Sequence, residues 1–228
     1  MPSLLEIVNP RNAGIVLRNI RKVGPVTTLR YVFSDLFFDM RYGVETINTV
    51  MLDELEIDSP NKAHGRYYEG SNAHLFAQIM AILGVDPATG CFIDFGSGKG
   101  KAMLLAAERG FRKVIGVEFS PELAAICRRN IDVFRRRTRT RTEFEVVQAD
   151  AAQYPIPAEA NLLYFNNPFD EVLIGKVIGN ILKSLRDCPR EIIVVHAHPQ
   201  GNRAFVDHLR FRLEREWPSG YIFRLGPE

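Results

Sequence analysis

The run Asp94-Phe95-Gly96-Ser97-Gly98-Lys99-Gly100 leaves this 228-residue chain few folds to choose from. The apolar Cys91-Phe92-Ile93 before it reads as a buried strand. After it, Lys101 to Arg109 has helical spacing, with Met103, Leu104 and Ala107 on one side and Lys101 and Glu108 exposed. Strand, tight glycine turn and helix start are how α/β folds hold a nucleotide-type ligand. Gly96 and Gly98 let the backbone turn sharply and approach a ligand with no Cβ in the way. Gly100 lets the helix pack close to the sheet. A P-loop is excluded, because Gly100-Lys101 is followed by Ala102 and Phe95 stands where the first glycine belongs. The dinucleotide fingerprint is not met either, since the third glycine comes one residue early.

The pattern continues downstream. Lys113 to Phe119 reads as a second strand ending at Glu118, where an acid about 20 residues after the glycines accepts hydrogen bonds from ribose hydroxyls. Phe119 stands beside it, placed to flank a nucleobase. Ser120-Pro121 then opens a helix, as N-cap and first helical residue. Glu143 to Gln148 is a third strand, ending in Ala149-Asp150-Ala151. Asn161 to Phe165 is a fourth, and it delivers Asn166-Asn167-Pro168-Phe169. Asp170 to Leu185 is an amphipathic helix and Glu191 to Val195 a fifth strand. Phe205 to His208 reads as a last helix. Leu209, Phe211 and Leu213 alternate with charged residues as a half-buried strand. Pro218-Ser219-Gly220 is a turn, and Tyr221 to Leu225 the returning strand. Upstream, the loop His64 to Ser71 precedes a helix from Asn72 to Leu83 that stops at Gly84.

An acid two residues before G-x-G-x-G, complete at Asp94, Gly96, Gly98 and Gly100, resembles motif I of the class I S-adenosylmethionine-dependent methyltransferases. The resemblance spans about residues 64 to 228. It is similar to small bacterial proteins of unassigned substrate, and distantly to the Dot1-type lysine methyltransferases. With the pattern above it implies an α/β, Rossmann-like fold: a mostly parallel seven-stranded sheet, helices on both faces and a C-terminal antiparallel hairpin. Residues 61–228 would form this domain and residues 1–60 an N-terminal helical extension. The implied cofactor is S-adenosylmethionine, whose α-ammonium suits the Asp94 carboxylate. Gly96, Ser97, Gly98, Gly100, Glu118 and Phe119 would hold it, with Asp150 and Ala151 at the adenine amino group. Tyr68 and Glu69 either close over the methionine end or belong to a turn whose tyrosines simply pack.

Asn166-Asn167-Pro168-Phe169 resembles the Asn/Asp-Pro-Pro-Tyr/Phe motif of amino-group methyltransferases, in which a polar side chain and a carbonyl orient the amine and the aromatic faces the methyl. Asn167 stands where the first proline is expected. Alignment favours Asn166 as the polar acceptor; direct precedence to Pro-Phe favours Asn167. The implied activity is N-methylation of an amino group on a protein, such as a lysine, or on a small molecule. Two other functions fit the same fold. A non-catalytic nucleic-acid- or protein-binding protein would not need Asp94, Glu118 and the Asn-Pro-Phe run intact. An NAD-dependent oxidoreductase would need the later third glycine and a catalytic Tyr-Lys pair or His.

Composition narrows the setting. A net charge of +2 gives no global preference for nucleic acid. Seven arginines between Arg128 and Arg141 form either a solvated face, the favoured reading, or a nucleic-acid patch. Cys91, Cys127 and Cys188 include no Cys-x-x-Cys pair, which points to reduced thiols and a cytoplasmic protein. No metal-ligand spacing surrounds His64, His74 or His196-Ala197-His198. Met1 to Arg11 lacks the pattern of a signal peptide, and no apolar run is long enough to span a membrane. Phe33, Leu36 and Phe37 share one helical face, expected to pack on the main domain.

Overall fold

A computed structural model describes residues 10–217 and 219–227. Residues 1–9, part of the stretch read as lacking a leader, and Pro218 of the expected turn lie outside the described residues. Seven strands form one sheet: β1 (Cys91–Phe95), β2 (Lys113–Glu118), β3 (Glu143–Gln148), β4 (Leu162–Asn166), β5 (Ile192–Ala197), β6 (Arg212–Trp217) and β7 (Gly220–Leu225). Their order is β3-β2-β1-β4-β5-β7-β6. The first five run parallel, and β7 lies antiparallel between β5 and β6. This is the Rossmann-like sheet with a closing hairpin that the sequence implies. The chain reverses its direction of growth at β1, between β2 and β4. Open α/β sheets bind ligands in the crevice at such a reversal, outside the carboxyl ends of the strands.

Six α-helices surround the sheet among the described residues: α1 (Pro10–Val23), α2 (Pro25–Tyr42), α3 (Ala73–Leu83), α4 (Lys101–Glu108), α5 (Pro121–Thr138) and α6 (Glu171–Asp187). On one face Phe92, Val114, Leu162 and Val195 pack with Phe76, Ile79, Leu104 and Phe134. On the other, Ile93, Phe95, Ile115 and Phe165 pack with Leu173, Val177 and Ile181. Cover on both faces explains why β1 and β5 read as continuous apolar runs rather than alternating ones. Three helices start where a short polar side chain meets the apolar spacing. Asn72, Ser120 and Asp170 each accept a hydrogen bond from the backbone N–H three residues on.

The structure departs from the sequence reading at several points, each through a distant neighbour. Lys101 is buried, not exposed, because α2 covers the start of α4. Its Nζ lies 3.1 Å from Asp39 Oδ1 and 4.2 Å from the Phe38 ring centre. Phe33 and Phe37 point outward, 61% and 65% exposed, and Phe38 and Tyr42 make the domain contact instead, with Tyr42 against Phe134. An added Cβ on Gly100 would meet Cys127 Sγ at 2.6 Å, so that glycine makes room for α5 rather than for the sheet. Residues 205–208 form turns, not a helix. The edge strand begins only at Arg212, with Leu209 fully exposed and Leu213 44% exposed. The arginine segment is partly structural. Arg128 donates to the Val146 carbonyl, Arg137 donates to the Arg41 carbonyl, and Arg135 lies over the Phe144 ring. Among the described residues no helix is long and apolar enough to cross a membrane.

Candidate functional site

β1 ends at Phe95, and Gly96, Gly98 and Gly100 all take positive φ in the turn that follows. The left-handed region favours glycine, and space is short as well. A Cβ at Gly96 would lie 2.5 Å from Pro168 Cβ, and one at Gly98 would lie 2.1 Å from the Tyr68 ring. The glycine turn is therefore clamped between the β4 end and the 64–71 loop. That loop is itself tied down. Arg66 N–H donates to the Pro168 carbonyl at 3.0 Å, Asp170 N–H donates to the His64 carbonyl at 2.9 Å, and Gly65 pairs with Phe169 in an isolated antiparallel bridge. His64 Nδ1 lies 2.7 Å from Asp170 Oδ2. Tyr68 hydroxyl donates to the Thr46 carbonyl.

A cleft opens at the switch point. Tyr68, Glu69, Asp94, Gly96, Ser97, Gly98, Glu118, Phe119, Asn166, Pro168 and Phe169 line it, so the fold gathers most of the residues singled out from sequence into one place. Lys101, Ser71 and Arg66 join them; their approach depends on the loop and on α2, which no local pattern reports.

Two acids lie buried in the cleft. Asp94 is 3% exposed and its carboxyl makes no hydrogen bond with any described residue. Burial, and secondarily the nearby Glu118, push its pKa up to about 8. Glu118 is raised to about 7 by burial, against the opposing pull of backbone N–H groups. Its two oxygens accept from Gly98 N–H at 2.8 Å and Ser120 N–H at 2.9 Å, which ties the glycine turn to the start of α5. Ser97 Oγ is buried without a partner.

Other residues singled out from sequence stand elsewhere. Asp150 does not line the cleft. Its carboxylate accepts from Ser59 and Asn61, both at 2.7 Å, and so anchors the loop before the 3-10 turn Lys62–His64. Ala151 is buried in the core beneath it. Asn167 lines a second, larger chamber rather than the cleft. It takes φ 50°, and its Oδ1 is buried without a partner. Asn166 lines both spaces. Its Nδ2 donates to the Glu69 carbonyl at 3.0 Å. Arg18 of α1, which sequence reasoning missed, closes the same chamber: its guanidinium makes a two-pronged contact with the Glu69 carboxylate at 2.8 and 2.9 Å and another with Tyr67 hydroxyl. His196 is a packed residue, between Phe165 and Phe205, with burial pulling its pKa down to about 4. No group of three metal-ligating side chains occurs among the described residues.

Residues 92–188 match a family model described as a methyltransferase domain. No curated protein sequence matches the chain. Among solved structures, an RNA methyltransferase from Salinibacter ruber with S-adenosyl-L-homocysteine aligns at 21% identity and TM-score 0.50, over 69% of this chain and 94% of that one. A Pyrococcus horikoshii protein provisionally named an RNA methyltransferase aligns at 16% identity and TM-score 0.52, over 82% and 95%. A Pyrococcus abyssi tRNA (uracil-54, C5)-methyltransferase aligns at 16% identity and TM-score 0.48; there the match covers 70% of this chain but only 39% of the relative.

Proposed function

We propose that this chain is a class I S-adenosylmethionine-dependent methyltransferase and that it transfers the methyl group to an amino nitrogen on a protein lysine or a small-molecule amine. The cleft residues fit the cofactor. Asp94 offers a buried carboxyl with no hydrogen-bond partner among the described residues, and an ammonium in that position would supply one. Glu118 keeps unused lone pairs beside its backbone donors, available to hydroxyl groups. The glycine turn leaves the backbone bare where a ligand lies against it. When bound, S-adenosylmethionine supplies a methyl carbon made electrophilic by the attached sulfonium.

The observation that carries the amine reading is Asn166. It stands at the carboxyl end of β4, shared by the cofactor cleft and the larger chamber. Its Nδ2 is occupied by the Glu69 carbonyl, which turns the remaining Oδ1 into the free acceptor for an N–H group. This favours Asn166 over Asn167 as the orienting side chain. The protein's part is then to position an amine and exclude water. The arginine segment lends a nucleic-acid acceptor little support, since Arg128, Arg135 and Arg137 are engaged within the fold.

Tritiated-methyl transfer to size-fractionated cell extract, with protease and nuclease arms, tests this. Label is expected as stable N-methyl groups in protein or low-mass material. Nuclease-sensitive label, or label released by mild base as an ester would be, overturns the reading. Asn166→Ala should keep cofactor affinity within a few-fold and lose most turnover, because an orienting contact acts chiefly as the reaction proceeds.

A further inference from the structure

Two neighbouring strands end in the same unusual way. The last rung between β4 and β5 pairs Asn166 with Ala197. The next residue on each strand, Asn167 and His198, has φ 50°. Each is followed by a proline, Pro168 and Pro199. A side chain other than glycine in the left-handed region is uncommon, and a residue before proline is normally driven to extended backbone. Such geometry persists where the surroundings hold it, and it clusters at functional sites. Here β5 is held by the hairpin: His198 N–H donates to the Ser219 carbonyl at 2.6 Å. The matched twists set His198 beside the Asn-Pro-Phe segment.

We propose that His198 is a proton-acceptor site for the methylated substrate, and that this substrate is a basic amine that arrives as an ammonium ion. The inference rests on the amine reading above and deepens it. His198 lines both spaces adjoining the cofactor cleft, and in each it is joined by Asn166, Glu69 and Tyr31. Its ring makes no hydrogen bond with any described residue. The charged and titratable groups around it are committed or peripheral. From α1 come Arg18, bound to Glu69 and Tyr67, and Lys22, at the exposed rim. From α2 come Tyr31 and Asp35, the latter held by Ala73 N–H and Asn72. Lys101 of α4 is paired with Asp39; Glu216 and Tyr221 lie on the hairpin. The imidazole is left as the inward basic lone pair. Burial lowers its pKa; the Glu69 carboxylate opposes this and the cations Arg18 and Lys22 add to it, so the net shift favours the neutral ring.

An ammonium has no lone pair and cannot be methylated. In the proposed step its proton passes to a ring nitrogen of His198. The freed pair forms the bond from nitrogen to the methyl carbon while the sulfur–carbon bond breaks and its pair returns to sulfur. The imidazolium then gives its proton to water. The cations Arg18 and Lys22 beside the chamber disfavour the ammonium form, which eases the transfer.

The test uses two simple acceptors with the full-length protein: n-butylamine, protonated at neutral pH, and trifluoroethylamine, largely unprotonated there. His198→Gln should lose at least about 10²-fold of kcat/KM on butylamine, a typical general-base contribution, and much less on trifluoroethylamine. The native butylamine profile should show an acid limb below the ordinary imidazole range that the variant lacks. His198 does not line the cofactor cleft, so cofactor affinity by calorimetry should be unchanged and serves as the folding control. In nuclear magnetic resonance spectra the His198 ring signals, identified by their loss in the variant, should shift when butylammonium is added. Equal losses on both amines, or no loss, overturn the role of His198 alone. A native protein that binds cofactor and methylates neither amine overturns the amine reading and this inference with it.

Discussion

Asp94→Asn should make the cofactor-free protein more stable while weakening its hold on the cofactor. In the folded chain the Asp94 pKa is raised to about 8 by burial and by Glu118, whereas in the unfolded chain it is about 3.9. An acid with a raised folded pKa binds more protons folded than unfolded between those values. Stability is therefore greatest below pH 4 and is lost as pH rises toward 8. At pH 7 the interval is about three pH units, worth roughly 4 kcal/mol at about 1.4 kcal/mol per unit. Asparagine escapes that term but leaves a buried amide to satisfy, so a net gain on the order of 2 kcal/mol is reasonable. For a chain of this size that is a rise in Tm of about 4–8 °C at pH 7 to 8, shrinking toward pH 5. Loss of a charge-assisted hydrogen bond should cost cofactor binding roughly 1.5–3 kcal/mol, about 10- to 150-fold in Kd. Urea denaturation at pH 5 and pH 8, with and without S-adenosyl-L-homocysteine, measures both effects. A native protein that grows more stable from pH 5 to 8, or a variant that binds cofactor as well as the native chain, would refute the reasoning.

Two further substitutions probe the scaffold. Gly98→Ala places a methyl group 2.1 Å from the Tyr68 ring at a positive φ; displacement of Tyr68 should lower stability by roughly 1–3 kcal/mol and weaken cofactor binding, and unchanged values for both in thermal melts and calorimetry would show that the clamp is dispensable. Lys101→Ala strands the buried Asp39 without its cation and should cost roughly 3–5 kcal/mol in urea unfolding, most of it recovered by pairing Lys101→Met with Asp39→Asn; a double variant as unstable as the single would mean that the pair matters through packing and not through charge.

What could be read from sequence is what neighbouring residues decide among themselves. The caps Asn72, Ser120 and Asp170 each rest on interactions within a few residues, the glycine turn and the acid at the end of β2 carry their own residue pattern, and the strands of a doubly covered sheet announce themselves by short apolar runs. Asp150 shows the limit. An acid after β3 suits an adenine contact and a loop anchor equally well. The choice is made by Ser59 and Asn61, about 90 positions earlier. Arg18 and Glu69 meet across 51 positions, with no local mark on either.

The clearest case is the rotation of α2. By hydrophobicity alone the stripe Phe33-Leu36-Phe37 should face the domain, yet Phe33 and Phe37 face outward and Asp39 is 1% exposed. The reason lies in the glycine turn. Its short path leaves Lys101 at the start of α4, inside the wall of the cleft and away from water. A buried ammonium without an anion costs several kcal/mol, more than the roughly 1.5–3 kcal/mol gained by burying one aromatic side chain. Turning α2 so that Asp39 and Asp35 reach Lys101, at 3.1 and 3.8 Å, removes that penalty. Phe38 and Tyr42, on the same face as Asp35 and Asp39, still supply an apolar contact. Asp35 meanwhile caps α3 through Ala73 N–H. Two stripes compete on one helix. The stripe that serves a charge 62 positions away prevails, and it prevails because the glycine turn fixes where that charge must sit.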